Sequence, residues 1–427
     1  MAKLLDRHDS AGSGWTAREA THLLWRCAGG ARATEIAGAV EDGMEKTVAR
    51  LIATQPEKKE FLEGDSLLHR SALKSGNIKS LKRWWLYRLA TSANPLAEKM
   101  TLFWHNHFAT SNAKVRSTGK MDVQHALLRK HALGNFASLF RGMARDVAML
   151  IWLDGNANRK RHPNENFARE VMELFSLGVG NYTERDIKEA ARAFTGWHVR
   201  NEEFWFNKVQ HDPGVKKILG KAGKFRGDDI LEICLQQPAC ARFLASKLLA
   251  AFVRPDADSA LVEALAARIR THKYEIAPVL QELLSSRVFY APESRRSLIK
   301  SPVELVVGTA RSLESTPHLD DSIQLMSDLG QNLFEPPTVK GWEGGRRWIN
   351  SATMLQRANF AARATSTDRL GSVRSEGVDH YIDLLLGGEV SKGARRELHA
   401  YQDNKSGKAS ANGLIQLIMT MPDYQLI

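Results

Sequence analysis

Apolar residues recur at helical spacing along nearly the whole chain, and signals for helix starts and stops bracket the recurrent stretches. That pattern leaves little room for any body other than one built from many helices. Thr16 with Glu19 three residues on predicts a capping box ahead of ATHLLWRCAGG. Asn94-Pro95 predicts an N-cap and first turn for a helix running to about Ala109. Asn164 opens a helix that stops at Gly178, and Thr183 with Asp186 opens the next, which stops at Gly196. Further helices are expected over 35–52, 78–90, 122–133, 136–153, 228–236, 239–252, 258–271, 276–285, 301–313, 321–329, 352–364 and 411–421. The period changes only at 203–220, where EFWFNKVQ alternates, His211-Asp212-Pro213-Gly214 signals a turn and VKKILG follows. A short β-hairpin insertion is expected there. Residues 331–348 carry two prolines and three glycines and are expected to form an irregular, ordered loop, and 366–376 reads as a linker. The expected fold is mainly α: a large multi-helix, bundle-like body and a single domain over 1–427. Two lobes can be drawn within it, about 1–200 with the polar motifs and about 228–427, with the hairpin between them.

Composition sharpens this only in places. A hydrophobic share of 43% over 427 residues is that of a globular protein with a sizeable core. Lys and Arg exceed Asp and Glu by 60 to 48, a net charge of +12. That surplus is spread in short clusters, which fits either a solvated surface or an anionic ligand. No nucleic-acid-reading motif accompanies it, so nucleic acid is not an expected partner. Three cysteines form neither a disulfide framework nor a zinc ribbon and read as buried thiols. The first fifteen residues lack the apolar stretch of an export signal, and no run of eighteen apolar residues exists, so a cytoplasmic chain without a membrane span is expected.

FWHNHF, residues 103–108, sets two histidines among aromatics. On a helix starting at Pro95, His105 and His107 diverge by about 200° and cannot chelate one ion together. His107 falls with Leu96, Met100, Phe103, Trp104 and Phe108 on the inward face; His105 falls opposite, near Glu98 and Thr101. His107 is either a core histidine or a functional one. A second stretch, HPNENFAREVMELFSLGVGNYT, carries Glu165, Arg169 and Glu173 at i, i+4 and i+8. Such a stripe is either a solvated, ion-paired face or an acid–base set in which Arg169 holds an anion or lowers a carboxylate's pKa. His211-Asp212 is either a turn or a further ligand pair. A helix break near His105, with ATSNA following directly, would bring the two histidines together, and His105, His107, Glu165 and His211 would then suit Fe, Mn or Zn. An inward histidine among Trp and Phe is also compatible with haem, though no further motif supports it. No HExxH, EF-hand, P-loop, GxSxG or GxGxxG motif is present.

MTLFWHNHFATSNAKV, LDGNANRKRHPNENFAREVMELFSLGVGNYTERDIKEAARAFTGW, HDPGVKKILG, KSPVELVVG and NLFEPPTVKGWEGGRRWIN resemble the bacterial domain-of-unknown-function 1800 family, over about residues 16 to 425. The resemblance implies no established activity and no assigned catalytic residues. It implies a context: many members carry export signals, from which this chain departs, and many are encoded beside a second uncharacterised family, a candidate protein partner. The motif positions are polar and aromatic: His105, His107, Asn164, Glu165, Asn166, Arg169, Glu173, Glu189, Arg192 and Trp342.

Two functional expectations follow. One is an enzyme with a mixed His/carboxylate site, catalytic residues Glu165, Arg169, Glu173 and His107, working with a transition metal or by general acid–base chemistry. The other is a non-catalytic assembly or carrier module that binds an acidic protein or polymer.

Overall fold

A computed structural model describes residues 5–9, 14–366, 376–404 and 408–427. Helix accounts for 65% of it, and the two sheets have two strands each, so the fold is mainly α. Local signals explain most helix starts. Thr16 accepts from the Arg18 amide while Glu19 accepts from the Thr16 amide at 3.1 Å, completing the capping box of Ala17–Ala28. Thr183 and Asp186 do the same for Glu184–Phe194, and Ser301 and Glu304 for Pro302–Ser312. Asn94 stands at the N-cap of Pro95–His107, but its amide is spent elsewhere. It accepts from the Gln55 amide at 2.6 Å and donates to the Gln55 carbonyl, tying this helix to the loop after residues 33–52.

Some expected elements divide. The stretch 136–153 is two helices, Phe136–Ala144 and Val147–Trp152, because Asp146 caps the second through the Met149 amide. The helix from Glu165 is α-helical to Met172 and then widens into a π-helical turn, Glu173–Leu177, that ends at Gly178 with φ +77°. Strands lie in the expected region but form two antiparallel hairpins, Trp197–Arg200 with Glu203–Phe206 and Lys216–Ile218 with Lys221–Gly223. EFWF and KKI each pair with a nearer neighbour than each other. Asn201-Glu202 and Leu219-Gly220, all at positive φ, close two-residue turns at both places. Helices Lys59–Ser75, Val378–Leu386 and Lys392–Asp403 were not expected. Most of the 366–376 linker lies outside the described residues.

Buried side chains gather into two main clusters. One holds Leu96, Met100, Trp104 and Phe108 with Phe136, Phe140, Phe175 and the helices between 187 and 290. The other holds Trp84 and Trp85 with Val303, Phe334 and the helices from 303 to 424. The Pro95–His107 helix lies at the seam between them. It is therefore buried on more than one side: Glu98, Thr101 and His105, which the wheel placed outward, are all buried. Among the described residues no helix is long and apolar enough to cross a membrane.

Candidate functional site

The three residues His105-Asn106-His107 point in three directions. His105 enters the second cluster. Its ring lies edge-on to Trp85, with centroids 5.2 Å apart, and packs on Phe334 and Trp342. Its Nε2 is buried without a hydrogen-bond partner, and burial pushes its pKa down to about 3. His125, on the same Trp85, has no partner for either nitrogen and is likewise kept neutral by burial.

Asn106 holds a loop. Its Oδ1 accepts from the Trp342 amide at 2.6 Å and its Nδ2 donates to the Trp342 carbonyl at 3.3 Å. Gly341, at φ +80°, permits the approach, since a Cβ there would overlap the Asn106 amide.

His107 enters the first cluster. Its Nε2 lies 3.1 Å from the Phe175 carbonyl, which accepts only from an N–H, so this nitrogen carries the proton. Phe175 lies in the π-helical turn, among the last carbonyls of a helix that lack partners inside it. Nδ1 keeps its lone pair with no partner. Burial, and secondarily Lys247, hold the ring well below the usual histidine range, so it is neutral at pH 7. The FWHNHF segment and the 165–177 helix do meet, then, but through a backbone carbonyl rather than through the acidic stripe.

The stripe turns to the next helix. Arg169 makes a two-pronged pair with Glu184, both contacts 2.8 Å, and its pKa is raised chiefly by that pair. Glu165 is 3.6 Å from Arg169 and 39% exposed, and Glu173 accepts from the Tyr182 hydroxyl. Glu170, beside the stripe, differs. Burial and then Glu173 raise its pKa, while Arg169 and Lys340 oppose the rise.

The remaining motif residues wire backbone. Asn164 caps its helix and donates to the Asp154 carbonyl, Asn166 donates to the Leu153 carbonyl, and Asn158 accepts from the Asn164 amide. His211 Nδ1 meets the Thr195 carbonyl at 2.9 Å. Asp212 and Glu189 flank Arg192, with nearest contacts of 2.8 and 3.0 Å. The metal set His105, His107, Glu165 and His211 is thus dispersed over four environments. Among the described residues no group of three or more His, Cys, Asp or Glu side chains could hold a metal ion.

No sequence motif announces a cleft of about 1090 Å³, just above the roughly 300–1,000 Å³ typical of small-molecule sites. The Pro95–His107 helix gives it a third stripe: Lys99, Leu102, Phe103, Asn106 and His107. The Pro238–Phe252 helix supplies Lys247 and Phe252, the 297–307 segment Ser301 and Glu304, and the loop that Asn106 holds supplies Lys340, Trp342 and Trp348.

Residues 22–426 match the family "Protein of unknown function (DUF1800)". The chain belongs to the DUF1800 family. No curated protein and no solved structure matches it. The polar signature that marks DUF1800 in this chain is, from Asn158 to Asp212, mostly scaffold: caps, loop ties and surface ion pairs. His107 and Trp342 are the signature residues that line the cleft.

The wall of this DUF1800 cleft carries five cations and four acids, and further cations lie behind one of the acids, Glu304. Glu304 accepts from Lys99 at 2.7 Å. Burial pushes its carboxyl up, but Lys99 and the Ser301 bonds outweigh that and hold it below the usual range. Three further cations sense the same carboxylate: Arg26, Lys300 and Arg357. None has an acid partner of its own among the described residues. Arg26 donates to the carbonyls of Phe252, Val253 and Ser294. Arg357 donates to Gln425 and the Lys300 carbonyl, and the Lys300 ammonium sits 3.7 Å from the Tyr424 ring centroid. Burial lowers the pKa of Arg26 to about 9, Arg357 to about 10 and Lys300 to about 7. No signature spacing betrays these residues, because each comes from a different segment.

Proposed function

We propose that this chain is an enzyme that binds an organic anion in the cleft and acts on it by proton transfer, with His107 and Lys247 as the working groups. The observation that supports the reading is the cation surplus. Five cations line the cleft against four acids, and behind its wall Arg26, Lys300 and Arg357 join Lys99 on one of those acids, Glu304; uncompensated buried charge is costly until an opposite charge arrives. An anion in the cleft would supply it. The aromatic wall of Phe103, Trp342 and Trp348 would take the apolar part of the molecule. His107 offers a neutral ring with one free lone pair, and it alone of the expected catalytic residues lines the cleft. Glu165, Arg169 and Glu173 then serve the scaffold, and the chemistry is acid–base rather than metal-dependent.

Thermal unfolding with citrate and with glycerol phosphate, against chloride at matched ionic strength, tests binding. An anion at about a hundred times its Kd stabilises by about 2.7 kcal/mol, and Lys247→Met should weaken that binding at least about tenfold. If neither anion raises Tm above chloride, the reading falls. For chemistry, a bound anion is incubated with wild type and with His107→Gln, which keeps a donor for the Phe175 carbonyl, and then recovered for mass spectrometry. Alteration by wild type alone supports the enzyme; a tightly bound anion recovered unchanged makes the protein a carrier.

A further inference from the structure

The cleft presents one amine unlike the others. Lys247 lies on the Pro238–Phe252 helix one turn after Phe243, and its Nζ sits 4.8 Å from the Phe243 ring centroid. Phe243 in turn packs beside His107, centroids 6.0 Å apart, and against Gly178, where a Cβ would already be 3.0 Å from the ring. Lys247 is half-buried, lines the cleft and pairs with no carboxylate among the described residues. The other lysines of the region are engaged differently. Lys99 donates to Glu304, Lys300 is closed under Trp25 and Tyr424, and Lys340 is exposed.

We infer that Lys247 is a nucleophile that condenses with the aldehyde or ketone group of an anionic substrate. The inference rests on the anion-binding reading of the same cleft. In the first step the amine lone pair attacks the carbonyl carbon, a C–N bond forms as the C–O π bond breaks, and one of the two amine protons passes to the carbonyl oxygen. In the second the carbinolamine hydroxyl leaves with a proton as water, the nitrogen gives up its remaining N–H proton, and a neutral imine remains. One carbonyl compound and one amine give one imine and one water, and no oxidant or reductant is needed. An ordinary lysine is almost wholly protonated at pH 7 and a poor nucleophile. Burial brings Lys247 down to about 8, which leaves about a tenth of it as free amine at pH 7.

The test is reductive trapping on the full chain. Protein is incubated with glyoxylate, a small anionic aldehyde, and sodium cyanoborohydride, and every lysine is followed by peptide mass spectrometry. Lys247 should label about tenfold or more faster than the exposed lysines. Its pH profile should rise to half near 8, well below theirs. Labelling of Lys247 no faster than that of the surface lysines overturns the inference. A parallel run with acetaldehyde, which is neutral, separates the two readings. If Lys247 is fast with acetaldehyde but shows no gain with glyoxylate, the nucleophile stands and the anion reading fails. If citrate raises Tm while Lys247 is slow with both aldehydes, the anion reading stands and the nucleophile fails.

Discussion

At the residue scale, the two histidines of FWHNHF are both buried and neutral, yet they are not equivalent. His105 has a buried nitrogen with no partner, whereas His107 gives its proton to the Phe175 carbonyl. Replacing a buried polar group that bonds nothing by an apolar one of similar size costs little, whereas stranding a buried acceptor costs about 1–3 kcal/mol. His105→Leu should therefore lie within about 1.5 kcal/mol of wild type, and His107→Leu should lose about 1–3 kcal/mol more than that, read from urea midpoints at pH 7.5. Equal losses would mean that the Phe175 bond contributes nothing. The sequence could place His107 inward because its apolar neighbours lie within one turn. It could not show that His105 is buried too, since Trp85, Phe334 and Trp342 arrive from distant segments.

At the element scale, the approach of two helices depends on two glycines. Gly30, just past the Ala17–Ala28 helix, and Gly308, within Pro302–Ser312, touch backbone to backbone; a Cβ on either would overlap the other segment. Backbone cannot step aside as a side-chain tip can. Gly308→Ala is expected to cost about 1–3 kcal/mol or more, even though alanine favours helix. Gly38→Ala is the control: its Cβ would meet nothing within 4 Å, and the helix preference alone should stabilise by about 0.5–1 kcal/mol. The same contrast between local and distant causes explains what could be read from the chain. Capping boxes at Thr16, Thr183 and Ser301 are encoded within four residues, and those helices start where expected or within a residue of it. The pairing of EFWF was assigned to the wrong partner because the turn at Asn201-Glu202 has no glycine to announce it. The stripe of Glu165, Arg169 and Glu173 left an ion-paired face and an acid–base set both open in the sequence, because Glu184, which pairs with Arg169, lies on the following helix. The cleft was invisible because Lys99, Lys247 and Glu304 are single residues without a spacing.

At the scale of the whole molecule, burial of several imidazoles makes folding sensitive to acid. His22, His105, His107 and His125 are all held below the ordinary histidine pKa, with burial as the main cause each time. The folded chain keeps these rings neutral, while the unfolded chain protonates them near 6.5. Below that pH the unfolded state binds more protons, so the rings' contribution to stability is complete above about 7 and is lost as pH falls toward each folded pKa. Each ring contributes a slope of up to about 1.4 kcal/mol per pH unit. Asp146 acts in the opposite sense. Burial raises its carboxyl to about 6, so the fold gains protons there before the unfolded chain does and recovers one such slope between about pH 6 and 4. Among these five groups the balance is a loss. Urea midpoints should already decline from pH 8 to 7, where the fold binds fewer protons at Lys300 and Lys247 than the unfolded chain does, and fall more steeply from about 6.5 to 5. His105→Leu removes one ring that neither bonds a carbonyl nor faces the cleft, so its curve should descend less steeply by about one ring's slope while matching wild type at pH 8. A midpoint level down to pH 5, or a His105→Leu curve parallel to wild type, would show that water reaches these rings inside the fold.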